Sequence, residues 1–291
     1  MKPLRVVVRR GPAVEAVHLV HAVAVRDGEI VAAAGDPGLV CYLRSSAKPL
    51  QALPLARARD DLEERDLAIA SASHMALPDQ LEAVRALLAK APAAEDELEC
   101  GFEDGSRLRH NCSGKHAGML ALCRARGWPS GGYRLAGHPV QLAMLAEIAA
   151  AAEVDPETLP TAVDGCGVIT FALSLERMAH AWSRLERIDG GAPVAAAMRA
   201  HPELVRGPGE PDTVAMQRLE GWTAKGGAEG LLCACGPDGL GLAFKVADGS
   251  GRAVGPALAS FLAELGHAVP ELARSRLENS RGELVGEIVS D

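Results

Sequence analysis

The pair Asp27-Gly28, set between two apolar runs, constrains this chain more than any other local feature. A two-residue hairpin turn needs φ > 0 at its centre, which Asp-Gly tolerates, so residues 16–25 and 29–34 read as paired antiparallel strands. Residues 4–8 add a strand ahead of them. A similar unit returns late, where residues 231–235 and 240–247 flank a turn at Pro237-Asp238-Gly239. Between the two lie helical patterns at 78–91, 117–127, 140–153 and 171–185, and a further one at 254–265 follows the second hairpin. Hairpins at both ends of a helical middle predict a mixed α/β fold of the α+β kind. One antiparallel sheet is built from about residues 1–45 and 228–291 and packed by helices, with about 46–227 as a helical insertion, in a single domain over 1–291.

Composition narrows the partners. With 291 residues and 48% hydrophobic content, a sizeable core is available, but aromatics are only 3%, so stacking platforms for nucleic acid are scarce. A formal charge of −8 disfavours nucleic acid and anionic membranes and favours a small-molecule substrate. No run reaches the ~20 apolar residues of a membrane span, and residues 1–10 lack the apolar stretch of a signal peptide. A cytoplasmic protein is expected. Seven cysteines, an odd number, point to thiols that pack, react or bind metal rather than to a disulfide framework. Cys41, Cys100 and Cys123 read as packing residues, and Cys233 and Cys235 share one face of a strand.

Chemistry concentrates in a few short segments. In Arg44-Ser45-Ser46-Ala47-Lys48-Pro49, Ser45 and Lys48 stand three residues apart and share a helix face, which makes a nucleophile with its own candidate base. The helix starts near Ser46, with Pro49 in its first turn and a bend near Pro54. Ser71-Ala72-Ser73-His74, Asn111-Cys112-Ser113-Gly114-Lys115-His116, Asp164-Gly165-Cys166-Gly167 and Lys225-Gly226-Gly227-Ala228-Glu229-Gly230 set reactive side chains among small residues. Such residues let backbone amides and substrate come close. Cys112-x-x-Lys115 has the spacing of a metal knuckle, and Cys166 could add a second thiolate. On side-chain chemistry alone, His116 or His110 would be the third ligand.

Arg-Ser-Ser-Ala-Lys-Pro at 44–49, Asn-Cys-Ser-Gly-Lys-His-Ala-Gly-Met at 111–119, Asp-Gly-Cys-Gly-Val at 164–168 and Lys-Gly-Gly-Ala-Glu-Gly at 225–230, in that order, resemble the asparaginase II family, the zinc-containing Rhizobium etli-type L-asparaginases. The resemblance implies a fold similar to serine β-lactamases and glutaminases, a homodimer, and hydrolysis of L-asparagine to aspartate and ammonia. It implies two catalytic pairs, Ser45 with Lys48 and Ser73 with Lys225. It further implies a zinc ion held by Cys112, Lys115 and Cys166 with water, and a pocket position for Asp164.

Such chemistry needs a neutral lysine, so the site must desolvate it. The serine would attack the side-chain amide, leaving a β-aspartyl ester that water then hydrolyses. Backbone amides near Ser45 or at Gly226-Gly227 would hold the oxyanion, while Arg44 and Asp164 would meet the substrate's α-carboxylate and ammonium. Two departures from the family pattern stand out: residues 75–80 after His74, where a histidine is usual, and Ile169 in place of a proline. The competing expectations are a β-lactamase or penicillin-binding-like hydrolase and a non-catalytic protein stapled by zinc.

Overall fold

The computed structural model describes residues 1–291. The chain opens with strands β1 (Leu4–Arg10), β2 (Ala13–Arg26), β3 (Glu29–Ala34) and the short β4 (Val40–Tyr42). After a 3₁₀ turn at Arg44–Ala47 come helices α1 (Lys48–Gln51), α2 (Leu53–Ala58), α3 (Glu64–Ala70), α4 (Pro78–Lys90), α5 (Ser113–Arg126) and α6 (Pro139–Ala152). Strands β5 (Thr161–Val163) and β6 (Ile169–Ser174) precede α7 (Leu175–Ser183), α8 (Gly191–Ala200), α9 (Pro202–Val205) and α10 (Pro211–Arg218). The chain closes with β7 (Thr223–Gly227), β8 (Leu231–Cys235), β9 (Gly241–Val246), α11 (Val254–Glu264), β10 (Arg274–Glu278) and β11 (Leu284–Ser290).

Two compact units result. The first combines Met1–Cys41, Ser174–Ser183 and Gly209–Asp291. Its antiparallel sheet runs in the order β10-β11-β1-β2-β9-β8-β7, with β3 also on β2. The first and last strands of the chain are neighbours, Val7 pairing with Val289, so the sheet is built from both termini as expected. The long β2 is shared: β1 takes its residues Ala13–Val20 and β3 takes Ala22–Arg26, joined through the Asp27-Gly28 turn. Gly241 on β9 abuts α7, for a Cβ there would lie 2.0 Å from the Ala179 carbonyl oxygen. Phe244, three residues on, packs edge-to-face on Phe261 of α11 at 5.5 Å. Side chains alternate along a strand, so α7 and α11 cover opposite faces of the sheet.

The second unit holds Tyr42–Leu173 and Arg184–Pro208. Local sequence explains its elements. In α3 the Asp66 carboxylate accepts the Glu63 amide at 2.8 Å, closing a capping box. α4 starts on Pro78 with Gln80 accepting the Leu77 amide, and α5 stops at Gly127 in the left-handed region. His138 caps α6, its Nδ1 accepting the Val140 amide at 3.2 Å.

Three expectations change. The pattern at 171–185 is not one helix: Ile169–Ser174 is strand β6, paired with β5 and almost wholly buried, and only Leu175–Ser183 coils into α7. A fully buried apolar run has no polar face, so its period does not distinguish strand from helix. The helix expected from 117 begins at Ser113, taking in Ser-Gly-Lys-His. The sheet extends to Lys225 and its glycines, which form β7 rather than the end of the helical middle. No helix is long and apolar enough to cross a membrane.

Candidate active site and metal centre

Close packing of helices brings the predicted segments of the second unit together. A Cβ on Gly114 would lie 2.2 Å from the Ile69 carbonyl oxygen, so only glycine lets the start of α5 rest on the end of α3. That contact sets Cys112 and Lys115 beside the extended segment after α3. Ser73 is held there by its amide donating to the Val205 carbonyl at 2.8 Å and by Arg206 donating to its own carbonyl at 3.1 Å. The His74 amide donates to the Asn111 carbonyl, and its Nε2 meets Ser113 Oγ at 2.8 Å.

Lys48 lies at the centre, fully buried. Its Nζ donates to the Ala72 carbonyl, lies 2.8 Å from Ser73 Oγ and 3.3 Å from Cys112 Sγ. Burial pushes its pKa down, Lys115 adding to the effect while the Cys112 and Cys166 thiols oppose it. Sequence spacing pairs Lys48 with Ser45, but the three partners of its amine are these others. Ser45 is half-buried. It follows Arg44, whose backbone is left-handed at φ 47 and whose amide donates to Thr170 Oγ1 at 3.1 Å. Around it the 3₁₀ turn, Pro49 in the first turn of α1 and Pro54 in that of α2 match the expected local course.

The two sulfurs form a coupled pair. Cys166, together with Lys48 and Lys115, holds Cys112 well below the usual thiol range, while proximity to Cys112 and burial raise Cys166. Lys115 Nζ donates to Cys166 Sγ at 3.2 Å. Burial works against charge on Lys115, but Cys166, Cys112 and Asp164 outweigh it and raise its pKa. The lysine whose pKa the site lowers is therefore Lys48, and the one whose pKa it raises is Lys115.

Two thiols and an amine converging in a buried pocket suit a borderline-soft ion such as zinc, provided the ion displaces the Lys115 proton. No three histidine, cysteine, aspartate or glutamate side chains converge as a metal group. His116 Nδ1 is taken by Tyr133 and His110 Nδ1 accepts the Cys112 amide, so neither histidine offers that nitrogen as the third ligand.

Arg44 and Asp164, read from sequence as separate anchors, are joined: Arg44 Nε donates to Asp164 Oδ1 at 2.6 Å. The Gly165 amide donates to the same oxygen at 2.8 Å, leaving Oδ2 and the guanidinium's terminal nitrogens available. Burial alone would raise the Asp164 pKa, yet Lys115 and Arg44 hold it below the ordinary value. A tight turn, in which the Gly167 amide donates to the Asp164 carbonyl, presents Cys166.

Lys225 belongs to the first unit. It is fully buried on β7, donates to the Gly226 carbonyl at 2.6 Å and stands 3.7 Å from Asp212 Oδ2. Asp212 also accepts the Gly226 amide at 2.7 Å. Gly227, the last residue of β7, pairs with Leu231. Asp212 has no signal in the local sequence pattern. The same is true of Arg206 and the Ala72 carbonyl, which act through backbone groups or at long range.

A search of curated proteins finds no match to the chain. The family model for L-asparaginase II matches residues 6–290. On the strength of that nearly full-length match, the chain belongs to the L-asparaginase II family, with an activity of the L-asparaginase type on a small-molecule amide.

Proposed function

We propose that the protein hydrolyses the side-chain amide of L-asparagine to L-aspartate and ammonia through an acyl-enzyme on Ser45. The observation that carries this reading is the buried Lys48 amine, depressed in pKa by burial and 2.8 Å from Ser73 Oγ. A neutral amine has two protons and one lone pair. The Ala72 carbonyl and the Cys112 sulfur take the protons, so the lone pair meets the Ser73 hydroxyl.

Ser45 is the serine left open to substrate, because Ser73 is buried and occupied by Lys48. On substrate entry the Lys48 lone pair turns from the Ser73 hydroxyl to Ser45 and takes its proton as Oγ bonds to the amide carbon, then Lys48 gives that proton to the departing nitrogen as the C–N bond breaks. Water attacks the resulting β-aspartyl ester, its proton passing to Lys48 and then back to Ser45 Oγ. Asp164 Oδ2 would accept the substrate ammonium and the free guanidinium nitrogens of Arg44 the α-carboxylate. Lys225, Gly226 and Gly227 enter this proposal through their sequence motif, as does a homodimer.

Zinc would be held by Cys112, Cys166 and Lys115. When bound it would supply a fixed positive charge in the pocket and a link between the loops carrying the two cysteines.

The test is ammonia release from L-asparagine by the wild type and by Ser45→Ala, with mass spectrometry of the acid-quenched wild type. Turnover lost in Ser45→Ala together with an acyl adduct on the peptide containing Ser45 supports the reading. An adduct on Ser73 overturns the assignment of the nucleophile, and no turnover of asparagine by folded wild type overturns the substrate.

A further inference from the structure

Gln80, in the first turn of α4, is buried with 1% of its surface exposed, and its side-chain amide makes four hydrogen bonds. Oε1 accepts the amides of Met75 at 2.9 Å and Leu77 at 3.0 Å. Nε2 donates to the carbonyls of Glu203 at 2.7 Å and Arg206 at 3.0 Å. Two acceptor sites and two donors are an amide's full inventory. The partners also fix its orientation, since a flipped group would set N–H against N–H and oxygen against oxygen. One side chain therefore joins the strap that follows Ser73 to the end of α9.

Both ends of that bridge bear on Ser73. On the strap, the two amides that meet on Gln80 flank Ala76, which is left-handed at φ 56 and donates its own amide to His74 Nδ1 at 3.1 Å. A non-glycine residue in that region holds only where its surroundings over-determine it. At the other end, termination of α9 leaves carbonyls without helical partners. Gln80 takes those of Glu203 and Arg206, while that of Val205 accepts the Ser73 amide at 2.8 Å. The Arg206 guanidinium returns to the Ser73 carbonyl at 3.1 Å. Both backbone groups of Ser73 are thus held by the segment that Gln80 ties down, and its hydroxyl stands 2.8 Å from Lys48 Nζ.

We infer that Gln80 is a positioning residue for the hydrolysis, clamping residues 73–77 to residues 203–206 so that the Ser73 hydroxyl stays on the Lys48 amine. This rests on the reading above, in which Ser73 orients the Lys48 lone pair. All four bonds of Gln80 go to backbone groups, so it acts on the reacting atoms only through the strap. A displacement of about 1 Å at a reacting group costs up to about 10²-fold in rate, and a loosened strap would cost turnover rather than affinity. Gln80 closes the stretch 75–80 in which the sequence leaves the family pattern, and the amide at its end supplies the support that this stretch needs.

The experiment uses the full chain and the variants Q80M, S73A, S73A/Q80M and R206M. Q80M keeps the length of the side chain and removes its donors. Steady-state ammonia release from asparagine is expected to show kcat lower by about 10–100-fold in Q80M, with KM within about twofold of the wild type. The double variant should match S73A alone to within about twofold, because the clamp works through the hydroxyl that S73A has already removed. R206M, which deletes the donation to the Ser73 carbonyl, should lower kcat in the same way. Hydrogen exchange supplies a readout apart from activity. The amides of Ser73, Met75 and Leu77 should be protected in the wild type and exchange at least about 10-fold faster in Q80M, with α5 unchanged.

An unchanged kcat in Q80M, a loss that multiplies with that of S73A, a rise in KM alone, or freely exchanging wild-type amides each overturn the inference. The exchange of the wild type needs no variant to fold, and R206M tests the same link should Q80M unfold. Failure of the underlying reading looks different: S73A then keeps full turnover, whereas the inference fails by itself when S73A is slow and Q80M is not.

Discussion

Lys48 Nζ and Ser73 Oγ stand 2.8 Å apart although 25 residues separate them, so the lysine of the Ser-x-x-Lys step is in contact with a serine from a different segment. The contact is made by an amine whose pKa burial has lowered, the state a general base requires.

Ser73→Ala should therefore lower kcat for asparagine by roughly 10²–10⁴-fold while leaving the fold intact, because it removes the hydroxyl that orients the Lys48 lone pair. Lys48→Met should cost at least as much. Steady-state ammonia release checks both, and full turnover by Ser73→Ala would take that residue out of the mechanism.

Asp164→Asn keeps the shape of the pocket and removes the charge offered to the substrate ammonium. The expected loss in kcat/KM is about 10-fold or more on asparagine. It should be much smaller on succinamate, which is asparagine without its α-ammonium. Equal losses on both would mean that Asp164 acts only through its pair with Arg44.

Gly114→Ala places a methyl against the Ile69 carbonyl oxygen, where a Cβ would lie at 2.2 Å. The opposing atom is backbone and cannot swing away, so the cost should reach about 3 kcal/mol. Gly137→Ala, whose Cβ meets nothing within 4 Å, is the control. Denaturant midpoints measure both, and an unchanged midpoint for Gly114→Ala would contradict the close approach of α5 to α3.

Acid stability should depend on His74. Burial pushes its pKa from 6.5 down to about 3. The folded state favours the neutral ring, and between those values the unfolded chain binds the proton more readily. The stabilisation is complete above about pH 6.5 and declines as pH falls toward 3, with a loss of about 2 kcal/mol at pH 5. His74→Gln should flatten that part of the stability profile relative to the wild type in urea titrations at pH 7.5 and 5. Parallel profiles would show that His74 does not titrate as described.

Much of the fold is legible because its signals are local. Asp27-Gly28 makes its hairpin, Pro49 and Pro54 sit in first turns, His138 caps a helix, and the strands at the two ends of the chain join one sheet. The run at 169–174 misleads because it is apolar on both faces, and the glycine-rich stretch at 225–227 misleads because burial between neighbouring strands overrides low strand propensity.

The sequence by itself determined which chemical groups this protein owns: the serines and lysines of the motif steps, the cysteines at 112 and 166, and small residues beside them. Their spacing also determined the local turns that present them. Only the tertiary structure decided who meets whom. Lys48 turns to Ser73 and Cys112, Arg44 to Asp164, and Tyr133 to His116, because each contact joins segments that share no helical period. Burial disfavours charge on both lysines, and their different neighbours then send them in opposite directions, Lys48 downward and Lys115 upward beside Cys166, Cys112 and Asp164.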